Sequence, residues 1–431
     1  MVTRLASRSE ELYKRALQLM PGGVNSPVRR YSPYPLFVAS AKGPRFTSSD
    51  GEEFLDYCMG YGALLDGHAP AEIIDSVKLV LDKGTVYGQP TEIEVELAEL
   101  ITKLVPSVEI LRLSNTGTEA TMHAIRLTRG FTGRKFIVKF DGCFHGSYDN
   151  VLVKPDPSQI PLAAPSSAGV LEDTAHYTLV ASYNDLANVE NIVREYSDEI
   201  AAVIVEPVMG NVGLVPPQEG FLQGVRKITR DNQILLIFDE VITGFRLAPG
   251  GAQQYFNIKP DLTIFGKIIG GGFPLSAFGG RREIMEKLAP LGPVYQAGTF
   301  NGNPVSVAAG LTMLRSIKKR GMQLYSTLER KTMELCKGIW ESLSDNNESV
   351  QVNSVGSMFQ IFFTEQSVVD YVSAKTSDVE SYQHYFQALL KQHVFVPPSQ
   401  FETCFLSTVH TESDISITLE AMNSIFKIRN T

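Results

Sequence analysis

Lys267 stands where an apolar run, Leu262–Phe265, gives way to glycines in Phe265-Gly266-Lys267-Ile268-Ile269-Gly270-Gly271-Gly272. Glycines there let the backbone approach a neighbour closely. A desolvated lysine amine becomes a nucleophile fit for Schiff-base chemistry. Read alone, the same residue could be a solvated lysine capping a turn. Asp239 closes the run Ile234–Phe238, and a carboxylate buried there needs a cation. A protonated pyridine nitrogen is one such cation, and it turns the ring into an electron sink; a loop-capping carboxylate is the ordinary alternative. Thr116-Gly117-Thr118-Glu119-Ala120 follows a strand-like run and opens a helix. Free N–H groups at a helix start, with two hydroxyls, form a phosphate cradle. The same residues also serve as an N-cap with an acid in the first turn. Phe144-His145-Gly146 lies past another run. Its ring could stack on a cofactor ring, or be a core phenylalanine beside a hydrogen-bonded histidine. His68, His123 and His176 lack metal-ligand spacing and read as structural, so no metal is expected.

Four weak signals become one strong one when combined. A phosphate cradle, a stacking ring, a pyridine-nitrogen carboxylate and a Schiff-base lysine at strand ends of one unit point to pyridoxal 5′-phosphate. The elements that must position them are short apolar runs at Ile110–Leu113, Phe136–Phe140, Ala202–Val205, Ile234–Phe238 and Leu262–Phe265. Helical patterns at 91–104, 118–129, 185–196 and 219–232 separate several of them. Continuously apolar strands alternating with amphipathic helices predict an α/β fold with a largely parallel sheet covered on both faces. Ligands of such sheets sit beyond the carboxyl ends of the strands. There the chain carries Ser114–Gly117, Asp141-Gly142, Glu206 and Asp239-Glu240.

Around this unit the pattern changes. A helix over Ser9–Met20 ends at Pro21-Gly22-Gly23, and a proline-rich loop leads to two short strands turning at Asp50-Gly51. After Pro304 a long helical stretch, 304–344, is interrupted near Gly321. A strand at Met358–Phe363, a helix at 379–391, short strands at 394–397 and 404–409 and a helix over Glu412–Ile428 complete the chain. The division expected is 1–65, an N-terminal segment packing with the small domain; 66–303, the large cofactor domain; and 304–431, a smaller α+β domain.

The 431 residues, 43% hydrophobic and 20% charged, are those of an ordinary globular protein. The net charge of −8 and the lack of a basic, aromatic-interleaved stretch argue against nucleic acid as a partner. Cys58, Cys143, Cys336 and Cys404 show no CxxC spacing, which fits core residues in a reducing compartment. The N-terminus lacks the apolar segment of a signal peptide, and no apolar run is long enough to span a bilayer, so the cytoplasm is expected.

The run Leu236-Ile237-Phe238-Asp239-Glu240-Val241-Ile242-Thr243-Gly244-Phe245-Arg246, with Lys267 beyond it, resembles the class III aminotransferase group of fold-type I pyridoxal-phosphate enzymes. Gly22–Arg29, Gly266–Gly272, Tyr295–Thr299 and Pro398–Glu402 resemble, within that group, the glutamate-1-semialdehyde aminomutases over nearly the whole chain. The resemblance implies a fold-type I transferase and a homodimer with sites at the subunit boundary. It implies Lys267 as the Schiff-base lysine, Asp239 on the pyridine nitrogen, and Asn211 on the ring oxygen. Gly117 and Thr118 would hold the phosphate, with Thr299 reaching it from the partner subunit. Phe144 would stack on one ring face and Val241 support the other. Ser26 and Arg29 resemble substrate-carboxylate contacts, and Glu402 a glutamate near the substrate. No arginine lies between Arg330 and Arg429, which leaves Arg29 as the candidate carboxylate clamp. The implied reaction is an internal exchange of amine and carbonyl, cycling the cofactor between its aldehyde and aminated forms (PLP and PMP) and yielding 5-aminolevulinate for tetrapyrrole synthesis. An ω-aminotransferase, a racemase, and a non-catalytic cofactor-binding protein are the alternatives. The chain departs from the group's habit in having Phe144 for Tyr, Tyr61 for Trp among the substrate-side residues, and a proline-bearing segment, Pro155–Gln159, where a closing loop is expected.

Overall fold

The computed structural model describes residues 7–344 and 348–429, the last five as backbone alone. Among the described residues the central sheet has seven strands. Their spatial order is Ile110–Ser114, Ser276–Gly280, Leu262–Phe265, Leu235–Glu240, Ile200–Val205, Phe136–Phe140 and Thr178–Ala181. Ser276–Gly280 is antiparallel to both neighbours and the other strands share one direction. The mostly parallel α/β sheet expected from the sequence is thus the observed fold.

The continuous apolar runs have a direct structural cause. Phe136, Val138 and Phe140, with Ile234, Leu236 and Phe238, pack on one side of the sheet against Val189, Ile192, Phe221 and Leu222. Ile137, Leu235 and Ile237 pack on the other side against Ala120, Ala124 and Ile125. Successive side chains point to opposite faces, so a strand covered on both faces must be apolar throughout. Two strands of this sheet are not apparent in the sequence pattern, Thr178–Ala181 and Ser276–Gly280. The latter, Ser-Ala-Phe-Gly-Gly, has a loop's composition because its neighbours crowd it. A Cβ on Gly279 would lie 2.8 Å from the Ile110 carbonyl oxygen, and one on Gly280 2.2 Å from that of Asp261.

The N-terminal piece folds as helix Arg8–Ala16, capped by Ser7, and strands Val38–Lys42, Arg45–Ser48 and Glu53–Asp56. The expected hairpin at Asp50-Gly51 joins the last two, and a third strand precedes them. Val394–Phe395 pairs in parallel with Glu53–Asp56, tying the two ends of the chain together. That strand stops after two residues, short of the expected four, because Pro397 and Pro398 follow and carry no N–H to donate. Cys404–Phe405 likewise falls short of 404–409. The segment after Lys154 forms a hairpin, Val153–Pro155 against Ala163–Pro165. All four cysteines are buried and free. Among the described residues no helix is long and apolar enough to cross a membrane.

Helix Pro304–Arg320 presses onto the turn Lys267–Gly270. A Cβ on Gly310 would sit 2.2 Å from the Ile269 carbonyl oxygen, and one on Gly271 2.8 Å from that of Ala309. Backbone meets backbone there, so the glycines are sterically required. Gly310→Ala is expected to destabilise the fold by about 1–3 kcal/mol through overpacking. A Tm a few degrees lower in calorimetry, with weaker cofactor retention, checks it; an unchanged Tm contradicts it.

Candidate active site

The strand ends open into a cavity of about 360 Å³. Thr116 caps helix Gly117–Thr132: its hydroxyl accepts from the Glu119 N–H at 3.2 Å, while Glu119 Oε2 accepts from the Thr116 N–H at 3.2 Å and the Asn115 N–H at 2.7 Å. This reciprocal box satisfies two of the helix's orphan donors. Gly117 and Thr118, the first two residues of the helix, line the cavity. The cap is therefore observed, and it uses only part of the helix start. The Thr116 hydroxyl serves the helix, and Thr118 Oγ1 accepts from the Ser147 N–H at 3.1 Å.

Asp239 is buried at the end of its strand. Its Oδ1 accepts from the Val241 N–H at 3.1 Å and its Oδ2 from His145 Nδ1 at 2.7 Å. Burial lowers the His145 pKa, with Asp239 opposing, so the imidazole is a neutral donor that leaves the carboxylate's charge uncompensated. His145 Nε2 has no partner among the described residues.

The side chain of Val241 lies 3.1 Å from where a Cβ would stand on Gly117 or on Gly266, so it forms the floor between cradle and lysine. Lys267 has φ 51°, a left-handed conformation that costs a non-glycine residue roughly 1–3 kcal/mol. Burial lowers its pKa, with Glu402 and Glu206 pulling the other way. Phe144 lines the cavity and remains 48% exposed.

Glu206, a strand-end residue given no role from the sequence, organises this wall. It is buried and accepts from the Phe144 N–H at 2.7 Å, the Gly210 N–H at 3.2 Å and Asn211 Nδ2 at 3.1 Å. Burial, reinforced by Asp239, pushes its pKa to about 7. The visible signal was Glu-Pro directly after a continuous apolar strand. Glu240, its sequence parallel, faces away and ties down the 251–255 helix through Ala252 and Gln253.

The residues expected on the substrate side are not all brought together. Arg29 and Tyr61 line a second cavity of about 490 Å³, and the Tyr61 hydroxyl donates to the Val28 carbonyl at 3.0 Å. Glu402 is partly buried; burial raises its carboxyl to about 7 and Lys267 opposes the rise. Ser26 lines neither cavity. Thr299 is exposed in this chain, between Tyr295 and Phe300, which are also exposed. Asn115 Nδ2 donates to Asn301 Oδ1 at 2.9 Å, so this loop is anchored beside the start of the cradle. Among the described residues no group of His, Cys, Asp and Glu is arranged to hold a metal.

The family profile described as aminotransferase class-III matches residues 27–426. The chain belongs to the class III aminotransferase family. Among its class III relatives, the glutamate-1-semialdehyde 2,1-aminomutase of Methanothermobacter thermautotrophicus is 51% identical over 418 residues, covering 97% of this chain and 98% of that protein. An omega-transaminase from Sphaerobacter thermophilus superposes with a TM-score of 0.92 at 36% identity, covering 99% of each chain. A solved transaminase with PLP bound reaches a TM-score of 0.88 at 28% identity over 98% of each chain.

Glu206→Gln tests the wall electrostatically. The native carboxyl titrates at about 7, against 4.5 for the free side chain. As pH rises through that window the unfolded chain loses its proton first, so wild type loses stability that the uncharged variant keeps. The stability of the cofactor-free wild type relative to Glu206→Gln is expected to fall from pH 4.5 to about pH 7. A difference that stays flat in calorimetry across that range contradicts the assignment.

Proposed function

We propose that this class III enzyme converts glutamate-1-semialdehyde to 5-aminolevulinate by moving an amino group within one molecule, with pyridoxal 5′-phosphate as cofactor. The observation that carries the reading is the 51% identity, over 97% of the chain, to a protein named for that reaction. The residues present fit the cofactor. Two helix N–H groups left by the capping box suit a phosphate. The Asp239 carboxylate, with only a neutral imidazole and a backbone N–H on it, suits a protonated ring nitrogen. The half-exposed Phe144 ring suits a flat aromatic neighbour.

When bound, the cofactor supplies an electron-accepting ring and a carbon that takes and returns the amine. Gly117 and Thr118 would hold the phosphate, and Asp239, braced by His145, would favour a protonated ring nitrogen. Phe144 and Val241 would flank the ring, and the Asn211 amide, fixed by Glu206, would serve its oxygen. Lys267 presents an amine whose pKa burial lowers, which favours a proton-accepting Nζ that would take a proton from one carbon and return it to another. Arg29, with Ser26, holds the substrate carboxylate, while Tyr61 and Glu402 flank it.

The same reading makes the enzyme a cytoplasmic homodimer. Thr299 lines neither of the two cavities above, and the exposed Tyr295 and Phe300 beside it suit a subunit face over the partner's phosphate. It also divides the chain near 65 and 303, since the whole seven-stranded sheet lies between Ile110 and Gly280.

Incubation of the purified holoenzyme with glutamate-1-semialdehyde and no second amino acid should yield 5-aminolevulinate; absence of product refutes the reaction. A strict need for an external amino donor would mark an ω-aminotransferase instead. Lys267→Ala should lose turnover by about 10³-fold or more while cofactor phosphate still binds. Activity near wild type in that variant would contradict the lysine's role.

A further inference from the structure

Arg246 ends the run that follows Asp239, and its role is unaccounted for by the cofactor site. It is 1% exposed, the bulkiest of the fully buried side chains. A buried cation ordinarily has an anionic partner, yet among the described residues no carboxylate pairs with it. Its Nη1 donates to Ser357 Oγ at 3.1 Å and its Nη2 to the Gly62 carbonyl at 2.6 Å. Its Cζ lies 4.6 Å from the centre of the Phe405 ring, and its Nε has no acceptor. One guanidinium thus joins three segments that are far apart in the chain.

The Gly62 carbonyl is the informative contact. Gly62 closes four consecutive residues of left-handed backbone: Met59 at φ 46°, Gly60 at 60°, Tyr61 at 55° and Gly62 at 89°. Such backbone in Met59 and Tyr61 costs roughly 1–3 kcal/mol each and persists only where the surroundings impose it. At the start of the run the Cys58 and Met59 N–H groups donate to Asp56 Oδ1 at 2.7 and 3.2 Å. At its end Arg246 takes the Gly62 carbonyl, and the Phe405 ring beneath leaves a Cβ on Gly62 only 2.8 Å. The run delivers Tyr61 to the N-terminal loop, where its hydroxyl donates to the Val28 carbonyl beside Arg29.

We propose that Arg246 is a positioning residue for substrate recognition, clamping the run Met59–Gly62 so that Tyr61 holds the Val28–Arg29 loop ready for the substrate carboxylate. The inference rests on the reading of Arg29 as the carboxylate contact. Lysine cannot replace the arginine, because a point charge cannot serve both acceptors and stack on a ring.

The test titrates the holoenzyme with 5-aminolevulinate and follows the cofactor's visible absorption, alongside Tm. Arg246→Lys is expected to raise the half-saturating concentration about tenfold, with cofactor content unchanged. In a Tyr61→Ala background the same substitution should raise it by less than about twofold, because the effect passes through Tyr61. Unchanged half-saturation, or a full tenfold loss in that background, overturns the proposal. If Arg246→Lys folds poorly, Phe405→Leu removes the stacked ring and should show the same weakening and the same non-additivity; normal affinity there also overturns it. A wild type with no spectral response to 5-aminolevulinate refutes the proposed reaction itself, and this inference with it.

Discussion

At the end of a strand buried on both faces, Asp239 carries a carboxylate whose partners are one neutral imidazole and one backbone N–H. A charge held that deep is sustained only if a cation completes the arrangement. The surrounding parts are disposed about that carboxylate. His145 lies behind the carboxylate, Val241 two residues on forms the floor, and Lys267 rises at the end of the adjacent strand, Leu262–Phe265. The same strand end continues to Arg246, which reaches the N-terminal segment through Gly62. One seven-residue step thus links the Asp239 cavity to the N-terminal segment.

Around that charge the chain repeatedly uses one group to free another. The capping box satisfies Thr116 and Glu119 internally and leaves two N–H groups for an anion. Glu206 holds the Phe144 backbone and the Asn211 amide with a single carboxylate, so an aromatic and a polar residue of the cavity wall share one brace. Close backbone contact at Gly310 and Gly271 fixes the turn that places Lys267 in a left-handed conformation. Rigid support of this kind keeps reacting groups within the narrow tolerances that catalysis needs.

Much of the cofactor site was legible in sequence because each part sits at a strand end, where local pattern and chemistry coincide. Asp239, Lys267 and the Thr116–Thr118 start follow apolar runs that could be read one strand at a time. What escaped were features set by distant neighbours. Ser276–Gly280 reads as a loop because its glycines answer to the Ile110 and Asp261 backbones. The service of Glu206 to Phe144 depends on a contact 62 residues away in the chain. The pairing of Tyr61 with the Arg29 loop depends on a left-handed run that no local propensity predicts. Thr299 was legible only through resemblance, since within one chain it faces outward.

The central claim, that Lys267 is the amine poised over the Asp239 site, is tested most directly by covalent trapping. Borohydride reduction of the holoenzyme followed by peptide mass mapping should place the cofactor mass on Lys267 alone. A label on any other lysine, or none in a protein that retains its cofactor, would contradict it.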